Sequence, residues 1–279
     1  MSPDVPASRV EVMRILIGCL AFAFVFFSAA KSSEALTLIN LPPPDSVAAD
    51  KLAQIHSVGV INTLEPSLTL KEIGTTAFTN GVSTLSIDDW RLDDVIFQVV
   101  GEALSPRYSV EKIEDELDKF RAAEGRAFYP VEEQIGALVL NLPRRSVDAY
   151  LLFKSFDSYR DPIGGTNQSM RGLGIYHHDF LGHETNAEYV FIVLYVIDAR
   201  TGKILASGTP CFPQQTGQCV HRTTQLTDQT KWAETADTLT DGQKAALRKD
   251  FTSFLTDGLR SELANMGFSA TNLPSTSSQ

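Results

Sequence analysis

The spacing of apolar residues divides the chain, from residue 57 onward, into alternating strands and helices. A short β-rich apolar run at 57–64 predicts the first strand. From Asp88 the apolar period changes from two to 3.6 residues, acidic residues occupy the first turn, and Pro106 follows the last apolar position. This pattern predicts an amphipathic helix packed on a sheet. Its apolar face consists of Leu92, Val95, Ile96, Val99, Val100, Ala103 and Leu104.

Two later helices have recognisable ends. Pro130 opens the first of them and Pro143 stops it. The second begins with Thr240 and Gln243 at the spacing of a capping box, and Gly267 stands where a C-cap glycine is expected. The apolar stripe of this last helix consists of Leu247, Phe251, Phe254, Leu255, Leu259, Leu263 and Met266.

A hairpin is predicted around Asn80 and Gly81, which lie between two β-prone segments. This dipeptide tolerates the positive φ of a type I′ turn, so we expect a two-residue loop here. Residues 107–113 predict a further strand, although the spacing of Ile113, Leu117 and Phe120 also fits a helix in the residues that follow.

The second half is richer in strand. The run at 189–197 is apolar throughout, as in a strand that is covered on both faces, so we expect it to be central in the sheet. Gly202 suits the left-handed position of the next turn, after which 204–208 return antiparallel. Strands are also predicted at 147–156 and from 171, with a Gly- and Asp-containing loop between them.

The predicted fold class is therefore α/β (α+β), with a mixed sheet, an antiparallel C-terminal hairpin and helices packed on the sheet. A length of 279 residues with 43% hydrophobic composition is sufficient for one such domain, with room left for a leader and a tail. We assign the domain to 57–268, a proline-containing linker to 36–56 and a polar tail to 269–279.

The first 35 residues resemble a secretory signal peptide. Arg9 and Arg14 precede an apolar run at 15–30, which is shorter than the roughly 20 residues of a membrane-spanning helix. Small residues offer cleavage after Ala30 or Ala35. The sequence thus predicts an exported, periplasmic protein, and the alternative is an uncleaved leader that anchors the chain in the inner membrane.

The charge of the chain limits its partners. The formal net charge is −10, and no block rich in Lys and Arg interrupts the sequence. Nucleic acid is therefore not an expected partner, and membrane contact is expected only through an uncleaved leader. We expect an envelope protein as partner, and the sequence leaves the oligomeric state open.

Two cysteines, Cys211 and Cys219, flank a short loop that contains a proline and a glycine. In an exported protein this spacing predicts a disulfide that contributes on the order of 2 to 3 kcal/mol to stability. In the cytoplasm the same pair would be two free thiols.

Three of the five histidines, His177, His178 and His183, stand close together, which raises the possibility of a metal site. Adjacent residues of a strand point to opposite faces, so at most one of His177 and His178 can share an ion with His183. The spacing also matches no known zinc motif. We interpret the stretch as a polar strand end and a solvated loop, and we expect no metal and no cofactor.

Catalytic motifs are not found either. The sequence has no G-x-S-x-G elbow. The acidic pairs at 88–89 and 93–94 could act as general acids or bases, but the preference of acidic residues for helix starts is sufficient to explain the first pair. A hydrolase with dispersed catalytic residues remains the rival hypothesis. Its first candidate residues are His177, His178, His183, Asp157 and Asp161.

The order of elements carries a resemblance to a known family. The strand start 147–150 and the segment 196–203, together with that order, resemble the α/β domain shared by the curli assembly lipoprotein CsgG, the penicillin-binding-protein activator LpoB and similar exported bacterial proteins. The resemblance spans most of 57–268. It implies a sheet with packed helices and a non-catalytic role in binding envelope proteins. A pore is not implied, because no long amphipathic hairpin is identified.

Overall fold

A computed structural model describes most of the predicted domain. It covers residues 44–75, 80–105, 107–123, 131–143, 146–158, 168–180, 183–210, 212–213, 219–220, 224–225 and 235–268. The predicted leader, the first part of the predicted linker and the predicted tail lie outside these residues, and their boundaries stay predictions. Among the helices that are described, none is long and apolar enough to cross a membrane.

The described residues form twelve strands and five α-helices. The strands are β1 Ser57–Asn62, β2 Ser67–Ile73, β3 Gly81–Ser86, β4 Ser109–Ile113, β5 Ala149–Ser155, β6 Asp157–Ser158, β7 Met170–Phe180, β8 His183–Asp198, β9 Ile204–Gly208, β10 Phe212–Pro213, β11 Cys219–Val220 and β12 Thr224–Gln225. The helices are α1 Ala49–Leu52, α2 Leu92–Leu104, α3 Leu117–Ala122, α4 Val131–Leu140 and α5 Asp241–Asn265. A 3-10 turn, Asp88–Trp90, precedes α2.

Ten of the strands form one mixed sheet, which confirms the predicted fold class. Its principal order is β3-β2-β7-β8-β5-β1-β4, and β6, β9 and β12 pair with the edges of β7 and β8. β1 is parallel to both β4 and β5, whereas β8 is antiparallel to β5, β7, β9 and β12. The β4-β1-β5 end of the sheet is therefore parallel, and β8 is antiparallel to each of its partners. Beyond β8 the sheet is mixed, since β2 is parallel to β7 and antiparallel to β3.

The longest strand, β8, holds the two parts of the sheet together. Its first half pairs with β7, from His183 to Phe191, and its second half pairs with β5, from Ile192 to Asp198. Leu194 pairs with residues of both β5 and β9, so this part of β8 has a neighbour on each edge. The prediction of a central strand at 189–197 is confirmed.

Helices cover both faces of the sheet because alternate residues of its strands are apolar on each side. Leu151 and Phe153 of β5 belong to the main core with α2 and α5, whereas Leu152 belongs to a second core with α3 and α4. All three side chains are fully buried. A strand of this kind has no solvent-facing side, so its sequence is a continuous apolar run.

Local signals for element ends are confirmed. The predicted apolar face of α2 is buried or packed against the main core. Thr240 and Gln243 form the capping box of α5, with the Gln243 N–H donating to Thr240 Oγ1. Gly202 and Gly267 both have positive φ, at 67° and 98°, as the turn and the helix C-cap require.

The predicted two-residue loop at Asn80 and Gly81 is wrong. Gly81 is the first residue of β3 and pairs with Glu72, so the connection runs through residues 74–80. The Asn80 side chain accepts a hydrogen bond from the Gly74 N–H, which closes this longer loop. Gly81 is paired within the strand and is not at a positive φ, so it is not part of a type I′ turn.

Part of the predicted linker packs with the domain. Val47, Leu52 and Ile55 are buried in the main core. The Val47 N–H donates to the Met266 carbonyl, and the Pro44 carbonyl accepts from the Ser207 N–H. Residues 44–56 therefore connect the end of α5 with β9 before they enter β1.

A glycine contact fixes the pairing of β7 with β8. Gly174 lies opposite Tyr189 in the register, and the tyrosine ring fills the space above the glycine. A Cβ added at Gly174 would lie 2.2 Å from Tyr189 Cζ and 2.5 Å from the carbonyl oxygen of Thr69. No side chain fits there without movement of a strand.

Glu262 is a buried carboxyl group on the sheet side of α5. It is 5% exposed, its Oε2 accepts from Asn265 Nδ2 at 3.5 Å, and it packs against the backbone of Gly208. Burial raises the pKa of Glu262 to about 7; the hydrogen bond from Asn265 lowers it, and the negative charge of Asp45 raises it.

We predict that Gly174→Ala destabilises the domain by about 1 to 3 kcal/mol, because the methyl group overlaps Tyr189 and a strand carbonyl. Urea denaturation of wild type and variant measures this difference. The matched control is Gly101→Ala, since a Cβ at Gly101 in α2 meets nothing within 4 Å. That change should stabilise by about 0.5 to 1 kcal/mol. Equal effects of the two substitutions would contradict the packing at Gly174.

We predict that Glu262→Gln stabilises the domain at pH 8 by about 1 to 3 kcal/mol, after allowance for solvent screening. In the wild type the unfolded chain releases the Glu262 proton near pH 4.5, whereas the folded chain retains it up to about pH 7. Wild-type stability therefore falls as pH rises through this interval, and the advantage of the glutamine disappears below it.

Thermal melts of the wild type and Glu262→Gln at pH 4.5 and pH 8 test this dependence. Asp257→Asn, which removes an exposed carboxylate from the same helix, serves as the control and should shift the two Tm values little. A gain for Glu262→Gln that is the same at both pH values would show that Glu262 does not titrate as stated.

Candidate functional site

One edge of the sheet carries a pair of adjoining clefts. The starts of β1 and β5 and the end of β8 meet there, because Val58 pairs with Ala149 and Ala149 pairs with Asp198. The turn between β8 and β9 and the segment around α1 rise on either side of these strand ends. The concave surface between them is the candidate site.

The two clefts, which we call together the edge cleft, have volumes of about 350 Å³ and about 510 Å³. They share Lys51, Asp198 and Leu205. The first is also lined by Ala53, Gln54, Ile55, His56, Asp148 and Arg200. The second is also lined by Pro44, Ser46, Ala48, Asp50, Thr201, Lys203 and Ile204.

Asp148 fixes the wall that contains the start of β1. Its Oδ2 accepts hydrogen bonds from the His56 N–H at 2.9 Å, the Ser57 N–H at 3.1 Å and Ser57 Oγ at 3.0 Å. Burial acts to raise the pKa of Asp148, but these hydrogen bonds lower it more, so the pKa lies below its ordinary value. The carboxylate thus holds two strands at this edge.

Asp198 fixes the opposite wall, the turn between β8 and β9. Its Oδ1 accepts from the N–H groups of Arg200 and Thr201, both at 2.9 Å. Behind the turn, the backbone of Gly202 contacts that of Gly136 in α4, and a Cβ on Gly136 would lie 2.5 Å from the Gly202 carbonyl oxygen. Hydrogen bonds on one side and close packing on the other therefore define the shape of the turn.

Three exposed cationic side chains border the edge cleft without an anionic partner. Lys51, Arg200 and Lys203, the cleft cations, make no side-chain hydrogen bond or ion pair in the part of the chain that the structure describes. Other cations do, as in Lys119 with Glu116 and Arg260 with Glu102. The fold thus determines where the cleft cations lie, but their charged groups form no bond within the described residues.

Part of the lining of the second cleft is apolar, and we call this part its floor. Ala48, Ile204 and Leu205 contribute to it, and a register shift between Val196 and Ile197 leaves Leu205 without a paired residue in β8. An apolar floor below a charged rim is the usual anatomy of a protein-binding surface. The arrangement can bind a group that is apolar at its centre and anionic at its margin.

The predicted histidine cluster is not brought together as a metal site. His177 and His178 both lie in β7, and His177 Nδ1 lies 2.5 Å from Asn186 Oδ1 on β8. The His178 ring lies 6.1 Å from that of Tyr176. No group of three metal-binding side chains exists among the residues described, and the side chain of His183 lies outside them.

The residues of the rival hydrolase hypothesis are not assembled either. Asp157 pairs with Arg171 at 2.9 Å, at the start of β7. His177 lies six residues further along the same strand, so about 20 Å separates the two positions. Asp161 lies outside the described residues.

The acidic pairs at the start of α2 have local roles. Asp88 accepts from Ser86 Oγ at 2.6 Å, and Asp94 pairs with Arg91. Asp93 accepts from Asn62 Nδ2 at the end of β1. These carboxylates hold the loop before α2 and the end of β1, as expected for residues at a helix start.

A smaller cleft opens near the far ends of β1 and β5. Its volume is about 70 Å³, which is room for about two water molecules. Arg171 lines it but pairs with Asp157. This cleft is too small for an organic ligand, so we do not treat it as the functional site.

The predicted disulfide is not tested. β10 and β11 pair with Pro213 opposite Cys219, but Cys211 and the side chain of Cys219 lie outside the described residues. The bridge therefore stays a prediction.

Sequence reasoning missed the cleft cations. Arg200 and Lys203 were visible in the predicted turn, but Lys51 lay in the predicted linker, far away in the sequence. No sequence signal distinguishes them, because closely spaced cations also occur elsewhere, as at Arg144 and Arg145 or Arg248 and Lys249.

The chain was compared with known proteins. No protein-family model matches it, and the search of curated proteins finds no match either. The fold and the edge cleft therefore carry the functional argument, and they define a single α/β domain with a preformed concave surface.

Proposed function

We propose that this domain is a non-catalytic binding module that holds a protein partner in the edge cleft. The observation that carries the proposal is that the carboxylates of the edge cleft are hydrogen-bonded within the fold, whereas its cations are not. Asp148 and Asp198 accept hydrogen bonds from backbone N–H groups. Lys51, Arg200 and Lys203 make no side-chain hydrogen bond or ion pair with the described residues. The charged groups of these three side chains are therefore available to a partner.

The carboxylates that form the walls of the edge cleft support binding more than catalysis. A general acid or base needs an ionisable group that can exchange a proton near neutral pH. The carboxylate of Asp148 accepts three hydrogen bonds, and its pKa is lowered. Such a group stays ionised and fixed, which suits a wall of the site and not a proton carrier.

The proposal places the module in the cell envelope. The signal-peptide pattern at 1–35 and the pair Cys211 and Cys219 support export. The resemblance to CsgG and LpoB domains supports a partner that is itself an envelope protein. None of these three supports depends on the geometry of the edge cleft.

We expect a photocrosslinking amino acid in the edge cleft to capture a discrete partner in the protein's own cells. p-Benzoylphenylalanine replaces Ser46 in one variant and Gln54 in another, because both exposed residues line the edge cleft. After irradiation, both variants should give the same crosslinked species on a gel of the envelope fraction.

The control position is Val82, which is 68% exposed on β3, three strands away from β8 in the sheet order. It should give no such species. If Val82 gives the same species, or if neither cleft position crosslinks, the edge cleft does not hold the partner.

We expect the mature protein to lack its leader and to contain one disulfide. Intact mass of the protein from the envelope fraction should correspond to cleavage after Ala30 or Ala35, with two hydrogens fewer before reduction than after it. A retained leader would indicate an anchored chain. Free thiols at Cys211 and Cys219 would contradict oxidative folding.

A further inference from the structure

We infer that the edge cleft recognises an acidic peptide segment, in which an apolar side chain is flanked by carboxylates. This inference rests on the proposed function, because it assigns a chemical class to the partner. The apolar side chain lies on the floor formed by Ala48, Ile204 and Leu205, and the carboxylates pair with the cleft cations.

The charge distribution argues for an anionic ligand. The edge cleft is lined by three carboxylates, but Asp148 and Asp198 are engaged by backbone N–H groups. Asp50 is the remaining lining carboxylate, against the three cleft cations. Carboxylates and cations are thus equal in number in this lining, but the charged side chains that the fold leaves unengaged are three cations and one carboxylate. Carboxylate groups of a ligand suit this surplus of unengaged cations.

The distribution of cations elsewhere shows that this is a local feature. Lys112, Lys119, Arg121, Arg171 and Arg260 pair with carboxylates, and the buried Lys154 donates to two carbonyls at the end of α3. Lys244, Arg248 and Lys249 on α5 also make no side-chain hydrogen bond or ion pair with the described residues, but they line neither cleft. The cleft cations combine unengaged donors with a concave, partly apolar surface.

The geometry argues for a peptide and not for a small anion. The two volumes of about 350 Å³ and 510 Å³ adjoin through Lys51, Asp198 and Leu205. A small anion would leave most of this volume, and the apolar floor, empty. An extended segment can place one side chain on the floor and carboxylates before and after it.

The test begins with the ligand class. A phage-displayed library of random dodecapeptides is selected on the full exported chain, and the most enriched peptide is synthesised with fluorescein for anisotropy. We expect enriched sequences with at least two Asp or Glu residues around an apolar residue. Replacement of those acids by Asn and Gln should weaken binding about tenfold or more, and raising NaCl from 50 to 300 mM should weaken it as well. Enrichment without acidic residues, or no enrichment, would overturn the inference.

Two charge-matched variants then locate the interaction. The cleft variant carries Lys51→Ala, Arg200→Ala and Lys203→Ala, and the helix variant carries Lys244→Ala, Arg248→Ala and Lys249→Ala. Both lose three positive charges, so a general electrostatic effect weakens binding equally in both. We expect a loss of about tenfold or more in the cleft variant and less than twofold in the helix variant, with Tm unchanged in both. Equal losses would overturn the inference.

The photocrosslinking variants separate this inference from the proposed function. A partner that still crosslinks from Ser46 after removal of the cleft cations would leave partner binding intact and contradict an acidic ligand. A wild-type edge cleft that captures no partner would contradict both.

Discussion

The pairing of β8 is the constraint on which the rest of the structure depends. One strand of sixteen residues pairs with β7 along its first half and with β5 along its second, so its register fixes both parts of the sheet. A shift of one residue would turn every side chain to the opposite face. Two packed cores on opposite faces exclude such a shift, and so does Tyr189, whose ring has space only above Gly174.

The same register also determines where the edge cleft lies. Because β8 ends at Asp198, its carboxylate falls beside the starts of β1 and β5 and shapes the turn that carries Arg200 and Lys203. Lys51 reaches the edge from the other side, since residues 44–56 are tied to β9 and to the end of α5. The edge cleft is thus a consequence of where three strands begin and end, and its charged rim lies on rigid backbone.

The sequence predicted those features that depend on local pattern. The apolar run at 189–197 identified a central strand, and the spacing of Thr240 and Gln243 identified the start of α5. The predicted two-residue hairpin loop was wrong. Gly81 pairs within β3, and the Asn80 side chain accepts a hydrogen bond from the Gly74 N–H, neither of which a dipeptide preference reveals. The candidate site was missed because its residues meet only through tertiary structure. The contacts of the buried polar residues could not be predicted from the sequence for the same reason. Lys154 donates to carbonyls at the end of α3, and Glu262 packs against Gly208.

The central claim is that a partner binds at the edge cleft, and amide chemical-shift mapping tests its location most directly. The ¹⁵N-labelled protein is titrated with the peptide selected on it. The account predicts that the amides of residues 51–56 and 200–205 shift, while those of β3 do not. Shifts concentrated instead at His177 and His178 on β7, with residues 51–56 and 200–205 unchanged, would contradict it and move the site to the histidine-rich strand.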